Sequence, residues 1–274
     1  EQLTNQDVDI SSVSTLSNDV GLTVRELTGG PYTIDNRGTI EASNITSNSN
    51  PTVRLEVGTS VDNSGLIDAS GSANLNSILF IDNSGSNSLT NSGTIQTETT
   101  GNYGQAINVQ DTSVTEITNS SGGTIKVIDS ALNSGAIRIN TGGVVNTITN
   151  HGTISATGSV HSRGIISIST ATIDRINNTG TIIAQGGSSS NRGIAFWNDS
   201  GTSVTNSGTI EGTGNSEGYG IRIGDNGSIS SITNSGTITG GLHGIANGGS
   251  ITNIVNTGTI TGTSGYDIYN AAAT

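Results

Sequence analysis

The chain has 274 residues, including 40 Gly, 2 Pro and no Cys or Met, with only 11% charged residues and a formal net charge of −12. One lysine (Lys126) and eight arginines against 21 acids argue against nucleic acid or an anionic membrane as partner, since both need clustered cations. Without cysteine there are no disulfide staples or thiolate metal sites, and no apolar run approaches the roughly 20 residues that span a bilayer.

Residues 1–30 are comparatively acidic (Asp7, Asp9, Asp19, Glu26) and alternate apolar residues in Val8-Asp9-Ile10 and Leu22-Thr23-Val24. They read as an irregular lead-in turn or N-terminal cap, because an exposed parallel rung invites pairing. The start at Glu1, with no initiator Met or leader, fits a processed mature protein exported through a signal peptide, or an excised segment.

From residue 31 to 274 the chain is a repeat. Asn-x-Gly-Thr-Ile, or a close variant, recurs nine times, anchored on Asn36, Asn63, Asn91, Asn119, Asn150, Asn178, Asn206, Asn234 and Asn256, at spacings of 22–31 residues. A fixed period in this range marks stacked units, none of which can bury its apolar face alone. Each period carries three short β-branched segments bounded by Gly, Ser and Asn. The first precedes the anchor, as in Val114-x-x-Ile117 and Ile229-x-x-Ile232. The second follows it and forms an isoleucine column from Ile40 to Ile260. The third begins Gly/Ala-Ile, as in Ala136-Ile137-Arg138-Ile139, Gly193-Ile194-Ala195-Phe196 and Gly220-Ile221-Arg222-Ile223. The expected fold is therefore all-β: a single-stranded right-handed parallel β-helix (β-solenoid) of about nine to ten turns, three short strands per turn, with rungs about 4.8 Å apart.

The anchor Asn is read as structural, able to adopt a left-handed corner and to bond the copies above and below as an amide ladder. The following Gly is expected at a positive-φ position. Two extra residues enter the corner at 119–125; segments 156–162 and 184–192 read as loops, and 239–243 as a tight link. Such insertions cluster on the face where repeat proteins bind partners.

Chemistry is sparse. The three histidines do not cluster, and Asp111, Asp199 and Asp225 fall in turns too far apart for an acid–base pair. No Gly-x-Ser-x-Gly elbow and no calcium-repeat Asp occur. The reading is thus no enzyme, no cofactor and no metal. One column, the residue before each third-strand Gly/Ala-Ile or its equivalent, reads Gln105, Gly135, Arg163, Arg192, Tyr219, His243, Tyr266. Its planar groups could cradle a sugar or peptide, although large solvated side chains at a corner are the simpler account. Phe80 and Phe196 fall in inward slots as core fillers, so Trp197 points outward as a surface contact.

The units Val-Thr-Asn-Ser-Gly-Thr-Ile (204–210), Ile-Thr-Asn-Ser-Gly-Thr-Ile (232–238) and Gly-Tyr-Asp-Ile-Tyr-Asn (265–270) resemble the β-helical passenger-domain repeats of bacterial autotransporter surface adhesins, over roughly 34–270. The resemblance implies export, extracellular or bacterial outer-surface display, and roles in adhesion, autoaggregation or biofilm, with no shared catalytic residues. That family's C-terminal membrane barrel has no counterpart in this sequence, so an excised passenger or a released protein is expected. Three functions stand. The first is a non-enzymatic cell-surface stalk or adhesin that recognises a host or cell-surface ligand through variable loops. The second is an extracellular filament of like subunits stacked end to end, suggested by the absence of a capping helix after Tyr266–Asn270. The third is a polysaccharide-active β-helix enzyme.

If the isoleucine column is the core, Ile210→Asp unfolds the rod by burying an unpaired charge, while Arg192→Ala leaves it folded. Equal tolerance of both in thermal melting excludes that column as the core.

Overall fold

The structure, a computed structural model, describes residues 3–4, 6–10, 14–18, 23–26, 31–46, 51–81, 85–129, 132–197, 200–214 and 217–271. Asp19, Leu22, Asp199 and residues 272–274, to which the sequence drew attention, lie outside them. The described residues form a parallel β-solenoid without helix, so none has a helix long and apolar enough to cross a membrane. Among them, three sheets run the length of the column with 11, 10 and 10 strands, close to the nine to ten turns expected. Each turn contributes one strand to a long sheet, one to an anchor sheet that ends on the motif Asn, and one to an isoleucine sheet that starts just past the corner. The described parts of 1–30 continue this pattern, pairing Leu3 with Val24, Val8 with Ile34 and Leu16 with Ile40.

Register follows the repeat residue by residue. Ile40, Ile67, Ile95, Ile125 and Ile154 are Cα partners in succession, continuing through Ile182, Ile210, Ile238 and Ile260. From Ile40 to Ile238 they are fully buried and belong to one core running from Val8 to Ile260. Identical β-branched side chains suit this geometry, because each must pack on a copy of itself one rung above and below. Where the anchor-sheet column Val145–Ile173–Ile229 is interrupted by Gly201, the Phe196 ring takes the space: a Cβ at Gly201 would lie 2.9 Å from it.

The anchor asparagines form an unbroken ladder. Asn Nδ2 donates to Oδ1 of the next copy in every step from Asn36 to Asn256, at 2.6–2.8 Å. The same Nδ2 also donates to the corner glycine carbonyl of its own turn and to the motif threonine carbonyl of the next, as Asn178 does to Gly180 (3.2 Å) and Thr209 (3.0 Å). Asn36 Oδ1 is left without a donor, because its register partner below is Ile10. The expected left-handed corner is not found. The anchor asparagines are absent from the non-glycine residues with positive φ, which are Asn44, Asp111 and Ser169.

The motif glycine is likewise required for a different reason from the one expected. At Gly65, Gly93, Gly180, Gly208, Gly236 and Gly258 a Cβ would lie 2.0–2.1 Å from the carbonyl oxygen of the corner glycine one turn below. The motif glycines do not carry positive φ; Gly122, inside the two-residue corner insertion, does, at 85°. That insertion bulges outward through a turn closed by Gly123 N donating to Ser120 O (2.9 Å), so the ladder across it stays at 2.8 Å. The expected loops are shorter than read. Strands His161–Ile168 and Ser190–Trp197 begin within them, leaving 158–160 and 186–189 as connectors, and 241–242 as the tight link.

Asn178→Ala should cost about 2–3 kcal/mol, since it leaves buried amides on the rungs above and below half-satisfied. Gly208→Ala forces rungs apart and should lower the urea midpoint at least as much. A shift under about 0.5 kcal/mol for either would show that the corner does not hold the stack.

Candidate ligand-binding face

The long sheet is where the side chains suited to recognition collect. Its strands from Leu75–Ile81 to His243–Asn247 place two successive residues inward, as the buried Ala106 and Ile107 show, so the outward positions are i and i+3 around that pair. Register then stacks two outer columns. One runs Gln105, Gly135, Arg163, Arg192, Tyr219, His243, as expected from the sequence. Tyr266 follows, its ring stacked 5.6 Å above His243 and its N–H donating to His243 Nδ1 at 2.9 Å. The other runs Arg25, Arg54, Leu79, Asn108, Arg138, Ile166, Ala195, Arg222, Ala246, Tyr269.

The solvated-corner account of the first column fails. From Gln105 to His243 its members lie within strands, and Arg192, Tyr219 and His243 are only 6%, 5% and 8% exposed; Tyr266, just ahead of the strand Ile268–Asn270, is 63% exposed. The structure adds Arg138, Arg222, Tyr103 and Tyr269, which the sequence reading missed. Their signal was present in Gly/Ala-Ile-Arg-Ile, but simple alternation hides that the residue three past the column shares its face.

Trp197 is on this face, as expected. Its ring carries the guanidinium carbons of Arg192 at 5.0 Å and Arg222 at 5.4 Å, and these also stand 5.8 and 4.9 Å from the Tyr219 ring. Gly224 makes room for the indole, for a Cβ there would come within 2.6 Å of it. Beside this cluster a cleft of about 240 Å³ opens between Tyr103, Asn133, Arg138, Arg163, Ile166, Ile168 and Trp197. Gly135 does not line it, but a Cβ there would lie 3.3 Å from Cγ2 of the lining residue Ile166.

The electrostatics are local and one-sided. Six of the eight arginines, Arg25, Arg54, Arg138, Arg163, Arg192 and Arg222, sit on long-sheet strands. Arg25 and Arg54 pair with Glu56. Among the described residues Arg138, Arg163, Arg192 and Arg222 form no ion pair, and the Nε of each is buried without a hydrogen-bond partner. Their polar contacts are modest: Arg163 Nη1 to Asn133 Oδ1 at 3.3 Å and Arg192 Nη2 to Ser190 Oγ at 3.0 Å. Burial, then the guanidinium neighbours Arg192 and Arg138, pushes Arg163 down to about 9. Burial, then Arg222, pushes Arg192 down to about 10. Burial lowers Arg138 as well.

The long-sheet strands from Tyr103 onward carry a single carboxylate, Glu217, and Asp111 and Asp225 belong to turns of different rungs. Among the described residues no three His, Cys, Asp or Glu side chains cluster as metal ligands. Compared with protein-family models, curated proteins and solved structures, the chain matches none.

A cation whose pKa is lower folded than unfolded holds fewer protons in the folded state, so stability rises as pH climbs through the folded value. The charged Arg163 therefore costs stability at neutral pH. Arg163→Met should leave the melting temperature unchanged or raise it. The wild type should gain on the variant as pH rises above about 9. A clear loss of stability in Arg163→Met at pH 7 would show that the guanidinium is a structural strut.

Proposed function

We propose that the chain is a non-enzymatic, surface-displayed β-solenoid rod, a stalk or adhesin outside the cell, that engages its partner through the guanidinium-and-ring face of the long sheet. The observation that carries this reading is the run of unpaired arginines, one on each of four consecutive rungs (Arg138, Arg163, Arg192, Arg222), framed by Tyr103, Trp197 and Tyr219. Buried charge without a partner destabilises a fold. Where it is concentrated on one face, beside an open cleft, recognition accounts for its presence.

The repeat itself supports a scaffold role. Its Ile, Asn and Gly are consumed in core, ladder and rung contact, which leaves the outward columns free to vary. A polysaccharide-cleaving role finds less support, because paired carboxylates about 5–10 Å apart are the usual requirement and the long-sheet strands from Tyr103 onward, which line the cleft, offer Glu217 alone. Extracellular display rests on the resemblance of the repeat to autotransporter passengers, and suits a chain stapled by hydrogen-bond ladders rather than by cysteine.

Fused to an outer-surface anchor in a non-adherent bacterium, the rod should confer attachment to coated surfaces, and Arg138→Gln/Arg163→Gln should abolish it while display is kept. Electron microscopy of the purified protein should show separate rods of constant length. No attachment by the wild type, or rods that lengthen with concentration, would overturn the reading, the latter in favour of end-to-end assembly.

A further inference from the structure

We propose that the cleft between Tyr103 and Trp197 binds a linear acidic polysaccharide, a chain of sugar rings bearing carboxylates, laid along the column axis. This rests on the reading of the long-sheet face as a recognition surface and names its ligand class.

The charge requirement comes first. Arg138 and Arg163 flank the cleft on adjacent rungs, neither forms an ion pair among the described residues, and the Nε of each is buried and unpartnered. A carboxylate accepts two parallel N–H bonds from a guanidinium, a match that ammonium groups and neutral sugars cannot make. The linear form follows from the pitch. Arginines on four consecutive rungs span three steps, roughly 14 Å at about 4.8 Å per rung, so a ligand with charges in series along the axis meets them in turn. Rings follow from what closes the cleft. Tyr103 stands at one end, 41% exposed, and Trp197 at the other. Their flat faces suit the apolar face of a pyranose, with the Asn133 amide beside them for its hydroxyls.

Other polyanions fit less well. An extended acidic peptide binds a sheet chiefly by adding a strand to its edge, but the backbone groups of this sheet already pair rung to rung, and the cleft lies on its face. Double-stranded DNA carries a charge every 1.7 Å or so. That density calls for a broad basic field, whereas these four arginines, one to a rung and divided between two neighbouring columns, run down a chain of net charge −12.

The test is titration calorimetry with polygalacturonate as probe, alongside its fully methyl-esterified form, polyglutamate and single-stranded DNA. Wild type should bind polygalacturonate in a salt-sensitive manner and bind the other three at least tenfold more weakly. Arg138→Gln/Arg163→Gln should weaken binding by about tenfold or more, the loss of one or two charge-assisted contacts. Gly135→Leu, which fills the cleft and leaves every charge in place, should weaken it similarly. Arg175→Gln, exposed on the anchor sheet, should change nothing. Circular dichroism and melting confirm that each variant is folded. The proposal fails if wild type does not bind polygalacturonate, if folded Gly135→Leu binds as wild type does, or if polyglutamate or DNA binds equally well. Reducing ends are measured in the same mixtures. Their appearance would overturn the non-enzymatic reading and leave the ligand class standing; absent binding would overturn the ligand class and leave the rod.

Discussion

Everything in this protein depends on one constraint: successive turns must lie in register at strand spacing, so whatever stands at a position must tolerate its own copy directly above and below. Isoleucine meets that condition by self-packing, and asparagine by an amide that both donates and accepts. The motif glycine meets it by having no Cβ, since its neighbour's carbonyl oxygen already occupies that place. Arginine does not meet it unaided. Guanidinium groups one rung apart repel: Arg192 depresses the proton affinity of Arg163, and Arg222 that of Arg192.

That contrast separates scaffold from site. The anchor and isoleucine sheets resolve the constraint completely, with apolar columns and a closed hydrogen-bond ladder. The long sheet resolves it with Ile107, Ile137, Ile165 and Ile194 on the inside and leaves it open outside, where rings are interposed between the cations. Aromatic faces are weak substitutes for carboxylates. The outer face therefore holds Arg138, Arg163, Arg192 and Arg222 among rings, with no ion pair to any of them among the described residues.

The architecture was legible because a repeat samples the same environment many times: nine near-identical Asn-x-Gly-Thr-Ile copies give period, corner and core slot together. The amide ladder was legible for the same reason. Why the glycine is needed was not, because contact between rungs has no trace within a single copy. On the candidate face, the column from Arg163 to Tyr266 could be read off by alignment, but its depth could not. Arg138 and Arg222 were overlooked because the two successive inward residues of the long-sheet strands break the alternation on which strand reading relies. The space beside Gly135 was likewise invisible, because the Ile166 side chain that a Cβ there would meet comes from the next rung.

The amide ladder also gives the column a direction. An Asn side chain could in principle be turned about so that oxygen and nitrogen exchange places, but here each Nδ2 from Asn63 to Asn234 is held by the glycine and threonine carbonyl oxygens as well as by the next amide, and those of Asn36 and Asn256 by the Leu66 and Gly258 carbonyls. One reversed member would set oxygen against oxygen at several contacts at once. The nine amides consequently share a single orientation, and their dipoles add from Asn36 to Asn256. The rod is polar along its length through its side chains, not only through the sense of its strands.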